Sequence, residues 1–340
     1  MASAEAAQSR AVGGTFKGKE TSLWADAVRR LFHNKAAVVG LAIIAIMIVI
    51  YILADVIAPY SFATQVSRDA NKVPQWMISL FPFTKGYAKV STLYPLGTDD
   101  LGRDLFSRVV YGTRVSLSIA FLGPLLAMII GTVYGGVSGY FGGRVDEIMM
   151  RIVDIMYAFP TLLLIILLMA FFRSSFAGLA EPGTLRYTMN ALDAKMGGLL
   201  FIFIGISLTS WMGAARLTRG QVLSVREKEF IEAARSIGSN DRQIMWRHIL
   251  PNILGPLIVA ETLAIPAYIS YEAFLSFIGL GVNPPTPSWG IMIADGARSI
   301  RSYPHIVLFP AIALALTMFA FNFLGDGLRD ALDPRMRGTR

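Results

Sequence analysis

Residues able to do acid–base, metal or nucleotide chemistry are few in this sequence and poorly spaced for it. None of the 340 residues is cysteine, which removes thiolate metal sites, redox pairs and a cysteine nucleophile. The three histidines, His33, His248 and His305, stand far apart, whereas zinc ligands usually recur at short range. Gly13, Gly18 and Lys19 approach a phosphate loop, but Glu20 stands where the hydroxyl is required and no strand precedes the run. ATP binding by this chain is therefore rejected, and no metal or cofactor of its own is expected. Neither a Gly-x-Ser-x-Gly elbow nor a His-Glu-x-x-His pair occurs.

Charges in unusual places remain. Glu261 and Glu272 interrupt an apolar run, and Glu147, Arg151 and Asp154 follow at i, i+4 and i+7, one helical face, where internal pairing is expected. Asp99, Asp100 and Asp104 lack the alternating spacing of a calcium loop. A helix cap with local arginine pairing is the expected role there.

The elements that must hold these groups are membrane spans. The chain is 54% apolar and 16% charged, against roughly 25% charged in soluble domains, and its mean hydropathy is +0.54. Crossing a hydrocarbon core takes about 20 apolar helical residues. Uncharged windows cover 36 to 54, 115 to 143, 155 to 172, 196 to 215 and 302 to 325. A sixth, 253 to 281, carries Glu261, Glu272, Pro256 and Pro266, which a bundle can accommodate. The first window follows a polar stretch and has no cleavage pattern, so it is expected to remain in the protein. The net charge of +8 punctuates these windows instead of forming a nucleic-acid stripe. With the N-terminus inside, inner connections hold 19 Lys and Arg against 12 outside, placing both termini in the cytoplasm.

Residues 1 to 20 read as disordered. Ser22 can cap a helix through Leu23, Trp24, Ala27, Val28, Leu31 and Phe32 that lies on the inner surface against lipid, or else extends the first span. The outer segment 59 to 113 is long enough to fold as a small cap. The inner connection 216 to 251 reads as a helix-turn-helix: a capping box at Ser224–Glu227 starts the first helix, Gly238 stops it, Ser239, Asn240 and Asp241 offer caps for the second, and Pro251 ends it.

Glu232-Ala233-Ala234, then Gly238, then Ile249-Leu250-Pro251 resembles the Glu-Ala-Ala loop of binding-protein-dependent ATP-binding-cassette import permeases. His248 departs from that pattern at a usually apolar position. Ser22-Leu23-Trp24, the Gly97 to Asp104 run, Leu275-Ser276-Phe277, Pro284 to Gly290 and Phe321-Asn322 through Pro334 narrow the resemblance to the C-type permease of oligopeptide and dipeptide importers. It implies an all-α fold of six transmembrane helices, type I, in a bacterial inner membrane. Implied divisions are a tail and interfacial helix at 1–37, the first span and outer loop at 38–112, a permease core at 113–328 and a tail at 329–340. Implied partners are a homologous B-type permease, two cytoplasmic ATPases that bind ATP and magnesium, and an external peptide-binding protein. Glu229, Glu232, Ala233, Ala234, Gly238, Ile249, Leu250 and Pro251 would dock the ATPase.

Glu261 and Glu272, as intramembrane carboxyls, are expected to line or gate a path, or else to touch a partner. A transport subunit, not an enzyme, is the expected function. Rivals are a permease for another small molecule or metal chelate, an ion-driven secondary transporter using the broken sixth window, and a membrane hydrolase built on Glu261 or Asp154.

Overall fold

A computed structural model of the chain describes residues 23–176, 178 and 181–332. The Gly13–Lys19 run, the cap expected at Ser22 and the Asp333-Pro334 pair lie outside them. Helix α1 spans Leu23–His33 and α2 spans Lys35–Ile52. They are separate helices because Asn34 leaves the helical conformation and its side chain accepts from the Ala36 and Ala37 amides, an N-cap arrangement. A short α3 follows at Ala54–Ile57.

Long helices come next: α4 at Leu105–Phe141, α5 at Gly143–Tyr157, α6 at Thr161–Phe176, α7 at Leu185–Lys195 and α8 at Leu200–Arg226. After them lie α9 at Glu229–Ser236, α10 at Asp241–Gln243, a π-helical stretch at Ile244–Ile249 and α11 at Leu250–Phe277. The chain finishes with α12 at Trp289–Ala297 and α13 at His305–Leu332. Among the described residues five helices are long and apolar enough to cross a membrane: α2, α4, α8, the continuous run Asp241–Phe277, and α13. A sixth crossing arises only if α5 and α6 count as one broken span, because they are bent by 89°.

That bend corrects the expectation of a plain third span over 155 to 172. Pro160 has no amide hydrogen and disfavours helix at the residue before it, so the ladder stops near Ala158. Pro251 departs from expectation in the opposite sense. It sits at the second position of α11, directly after the widened π turns, and the helix runs on through it and through Pro256 and Pro266. Ser224 does not start a helix either: α8 continues to Arg226 and the break falls at Glu227 and Lys228.

Two of the buried apolar clusters join the long helices. Val115, Ile119, Ile165, Met169, Ile202, Ile206, Tyr268 and Leu275 join α4, α6, α8 and α11. Ile44, Leu117, Ile265, Ile269 and Phe321 join α2, α4, α11 and α13. Helices α4 and α8 approach closely along Gly131, Gly135 and Gly139. A Cβ at Gly131 would lie 2.8 Å from the Ala215 nitrogen, one at Gly135 2.8 Å from the Thr218 Cβ, and one at Gly139 2.9 Å from the Arg219 carbonyl oxygen. Small residues at this spacing let membrane helices gain dispersion contact where no hydrophobic driving force separates them from lipid.

The first and last described helices meet on one side of the bundle. Asn34 Nδ2 donates to Asp330 Oδ2 at 3.3 Å, and Gly40 sits against Ala320 and Phe323. At the opposite side, residues 59–104 form the expected cap, with single 3-10 turns and a parallel pairing of β1 at Val73–Pro74 with β2 at Val90–Ser91. Asp69, bonded by Lys72 at 2.7 Å and by the Tyr94 hydroxyl at 2.9 Å, has its carboxyl held below the usual range, chiefly by Lys72. The cap is tied to α13 through His305 Nε2 and the Thr98 carbonyl, 3.3 Å apart, and to the preceding loop through the Tyr87 hydroxyl, which donates to the Ser302 carbonyl at 2.7 Å.

Candidate coupling and translocation site

The element between α8 and α11 is built by local chemistry. Helix α9 ends in a Schellman arrangement: the Ser239 amide donates to the Ala234 carbonyl at 3.0 Å and the Gly238 amide to the Arg235 carbonyl at 2.9 Å. Gly238 has φ +87° with open space where a Cβ would stand, so backbone conformation and not crowding demands glycine there. Asn240 and Gln243 form a reciprocal capping box at 2.9 and 3.1 Å, which starts the second helix.

Its inner face is fastened to the bundle. Ile231, Ala234, Ile244 and Ile249 are buried with Tyr140, Val222, Ile253 and Leu257. The Tyr140 hydroxyl donates to Asp241 Oδ1 at 2.6 Å, and Arg226 Nη1 donates to the Gly139 and Tyr140 carbonyls at 3.0 and 3.1 Å. The outer face carries exposed Phe230, Ile237 at 84% and Trp246 at 61%, beside exposed Glu229, Glu232 and Ala233. The expected docking set therefore divides. Glu229, Glu232, Ala233 and Gly238 face out, whereas Ala234 and Ile249 are spent on the protein's own core. Leu250 is half-buried against that core and Pro251 is exposed.

Both intramembrane glutamates turn into the chain. Glu261 is buried and accepts from the Tyr268 hydroxyl at 2.9 Å. Glu272 is fully buried and accepts from Ser276 Oγ at 2.7 Å, with Ser288 Oγ 3.3 Å from that of Ser276. Glu272 has no surface with which to line a path in this conformation.

The trio on α5 does not pair with itself. Asp154 Oδ1 is 2.5 Å from Arg216 Nη2 of α8, and the Arg216 guanidinium lies 4.1 Å from the Tyr157 ring centroid. Glu147 and Arg151 instead line a cleft of about 380 Å³ with Arg144, Ile148 and Ile152. A shared face allows intrahelical pairing, but the arginine of the neighbouring helix takes Asp154.

Residues 124–338 match the family described as binding-protein-dependent transport system inner membrane component. The chain belongs to that family. Residues 22–74 of this permease also match the N-terminal TM domain of oligopeptide transport permease C. It is 41% identical to the oligopeptide transport system permease protein OppC of Haemophilus influenzae, over 93% of this chain and 90% of that one. Identity to the dipeptide transport system permease protein DppC of Bacillus subtilis is 40%, over 92% and 86%. An inward-facing structure of the MetNI methionine ABC transporter shares its fold at a TM-score of 0.51 and 18% identity, covering 67% of this chain and 97% of that one. The permease is thus a multi-pass, mostly helical membrane protein of the type I importer fold.

One group of functional interest was not legible in its sequence. Asp146 of α5 receives Arg219 of α8 in two bonds of 2.5 Å, to Oδ1 from Nε and to Oδ2 from Nη2, and Ser138 Oγ of α4 at 2.5 Å. At the cap, Asp99 takes Arg103 Nε at 2.6 Å and Arg108 Nε at 3.5 Å, while Asp104 caps α4 by accepting from the Ser107 amide at 2.9 Å. A helix cap with local arginine pairing is the role expected of this run, and Arg108 is buried between Asp99 and the Phe62 carbonyl. The spacing of Arg216 and Arg219, one turn apart at the end of an uncharged window, is the signal that points to acidic partners on a facing helix.

Proposed function

We propose that this permease forms half of the translocation path of an ATP-driven importer of oligopeptides or dipeptides. The observation that carries the reading is the α9–Gly238–α10 element, fastened inward by Ile231, Ala234, Ile244 and Ile249 and presenting Phe230, Ile237 and Trp246 outward. Exposed apolar side chains beside acidic Glu229 and Glu232 at the tip of a membrane protein suit a protein cleft better than water. In this reading the cleft belongs to a cytoplasmic ATPase. Two such subunits hold ATP and magnesium, a homologous B-type permease supplies the other half of the path, and an external binding protein delivers peptide.

The coupling end, where Asn34 also meets Asp330, then faces the cytoplasm of a bacterial inner membrane, with 113–328 as the permease core. The peptide cargo rests on what the OppC and DppC relatives are named to transport. ATP drives the cycle by shifting a two-state bundle through contacts made differently in each state.

The test uses the full complex in liposomes with the binding protein and a labelled peptide. Glu232→Lys and Gly238→Trp are expected to insert and assemble normally yet lose nucleotide-driven uptake. Normal uptake in both would remove the docking role. Uptake abolished by an uncoupler and indifferent to vanadate would favour ion-driven transport instead.

A further inference from the structure

Helix α5 is attached to the rest of the bundle in an unusual manner. At its start, Gly142 and Gly143 both have positive φ, +67° and +53°, conformations that glycine adopts without steric cost. At its end the helix breaks before Pro160 and turns by 89° into α6. A 15-residue helix bounded by two such breaks can reorient as a unit, since hinges are short segments that absorb the change in φ and ψ.

Its coupling-end attachment is polar. Asp146 binds Arg219 and Ser138, and Asp154 binds Arg216, whose guanidinium also stacks on Tyr157. The apolar cluster between α5 and α8 holds Val153 with Trp211, Met212 and Ala215, flanked by Tyr134 of α4 and by Met150 and Met156. Both arginines sit on the last three turns of α8, whose end, after Glu227 and Lys228, leads into α9. Helix α8 is itself seamed to α4 along the glycine stripe, so a displacement of α9 carries α4 and α8 together. From α8 it reaches α5 chiefly through these two charge contacts, while α4 adds the chain link at Gly142 and the Tyr134 hydroxyl, which donates to the Met149 carbonyl at 2.8 Å.

We infer that Asp146–Arg219 and Asp154–Arg216 form the transmission joint between the coupling element and the hinged α5, and that these four are positioning residues for the transport cycle. The joint re-aims α5, and with it the inner end of the bent span, when α9 is moved. This rests on the docking role proposed above. The Asp154–Arg216 pair is the sharper probe, because its side chains are 58% and 47% exposed, and exposed ion pairs add little to stability.

The experiment is a charge swap in the reconstituted complex, with Glu232→Lys run beside it. Asp154→Arg and Arg216→Asp singly are expected to assemble, to keep binding-protein-stimulated ATP hydrolysis, and to lose uptake by about tenfold, a typical coupling magnitude. The double swap is expected to restore most of the uptake per ATP hydrolysed, a rescue that a packing role would not give. Should a single inversion fail to assemble, Asp154→Asn and Arg216→Gln replace it, with a smaller loss in the same direction. Full uptake in the single variants, or a double swap no better than either, overturns the joint while leaving docking intact if Glu232→Lys is dead. Uptake by Glu232→Lys removes the docking role, and the joint falls with it.

Discussion

Helix α8 presents two faces that solve the same packing problem in opposite ways. Toward α4 it meets Gly131, Gly135 and Gly139 so closely that backbone atoms stand where side chains would be. Toward α5 it bonds Arg216 and Arg219 directly to Asp154 and Asp146, the first pair on an exposed edge. The first contact depends on the absence of atoms and tolerates no sliding. The second depends on charge, which is longer ranged and can be made, broken and remade at small cost. One helix is thus welded on one side and latched on the other, which is what a part that carries motion from a coupling element requires.

The largest effect that can break this comparison is expected at the weld. Gly135→Leu places side-chain atoms on the Ala215 carbonyl and Thr218, and overpacking of this kind costs about 3 kcal/mol. Thermal unfolding in detergent should show it as a large drop in midpoint or failure to purify, and an unaltered midpoint would mean that the seam is loose. Next comes Gly238→Val, which forces a branched residue into φ +87° and should destabilise by about 1–2 kcal/mol, read in the same unfolding measurement.

Tyr140→Phe removes the bond to Asp241, a change worth about 1 kcal/mol. Amide exchange in α9 and α10 should accelerate several-fold while that in α4 stays constant. Smallest is Asp154→Asn at the latch, expected to change stability by no more than about 0.5 kcal/mol. A loss comparable to that of Gly135→Leu would make the latch a second weld and remove the contrast.

Features set by neighbours in the chain were legible in the sequence. The turn at Gly238 and the cap at Asn240 follow from residues three or four positions apart, and the apolar windows follow from composition alone. The acidic cap at Asp104 was readable for the same reason. What failed depended on partners remote in sequence. Glu147, Arg151 and Asp154 share a helical face, but periodicity carries no information about Arg216, 62 residues further on. Asp146 and Arg219 are separated by 73. Ala234 and Ile249 looked as available for a partner as Ala233, because burial by Tyr140 and Val222 is a tertiary fact. Pro160 and Pro251 show the same limit: two prolines in apolar stretches, one at a sharp bend and the other inside a continuous helical run that follows π turns.

The meeting of Asn34 with Asp330 has a practical corollary. Fluorescent labels placed at exposed positions beside Asn34 and Asp330 will sit close enough for energy transfer. Because α1 and α2 brace α13 as a strap braces a barrel stave, trimming the leading forty residues should strip α1 and the Gly40 contact from the flank of the final crossing and leave α2 too short to cross.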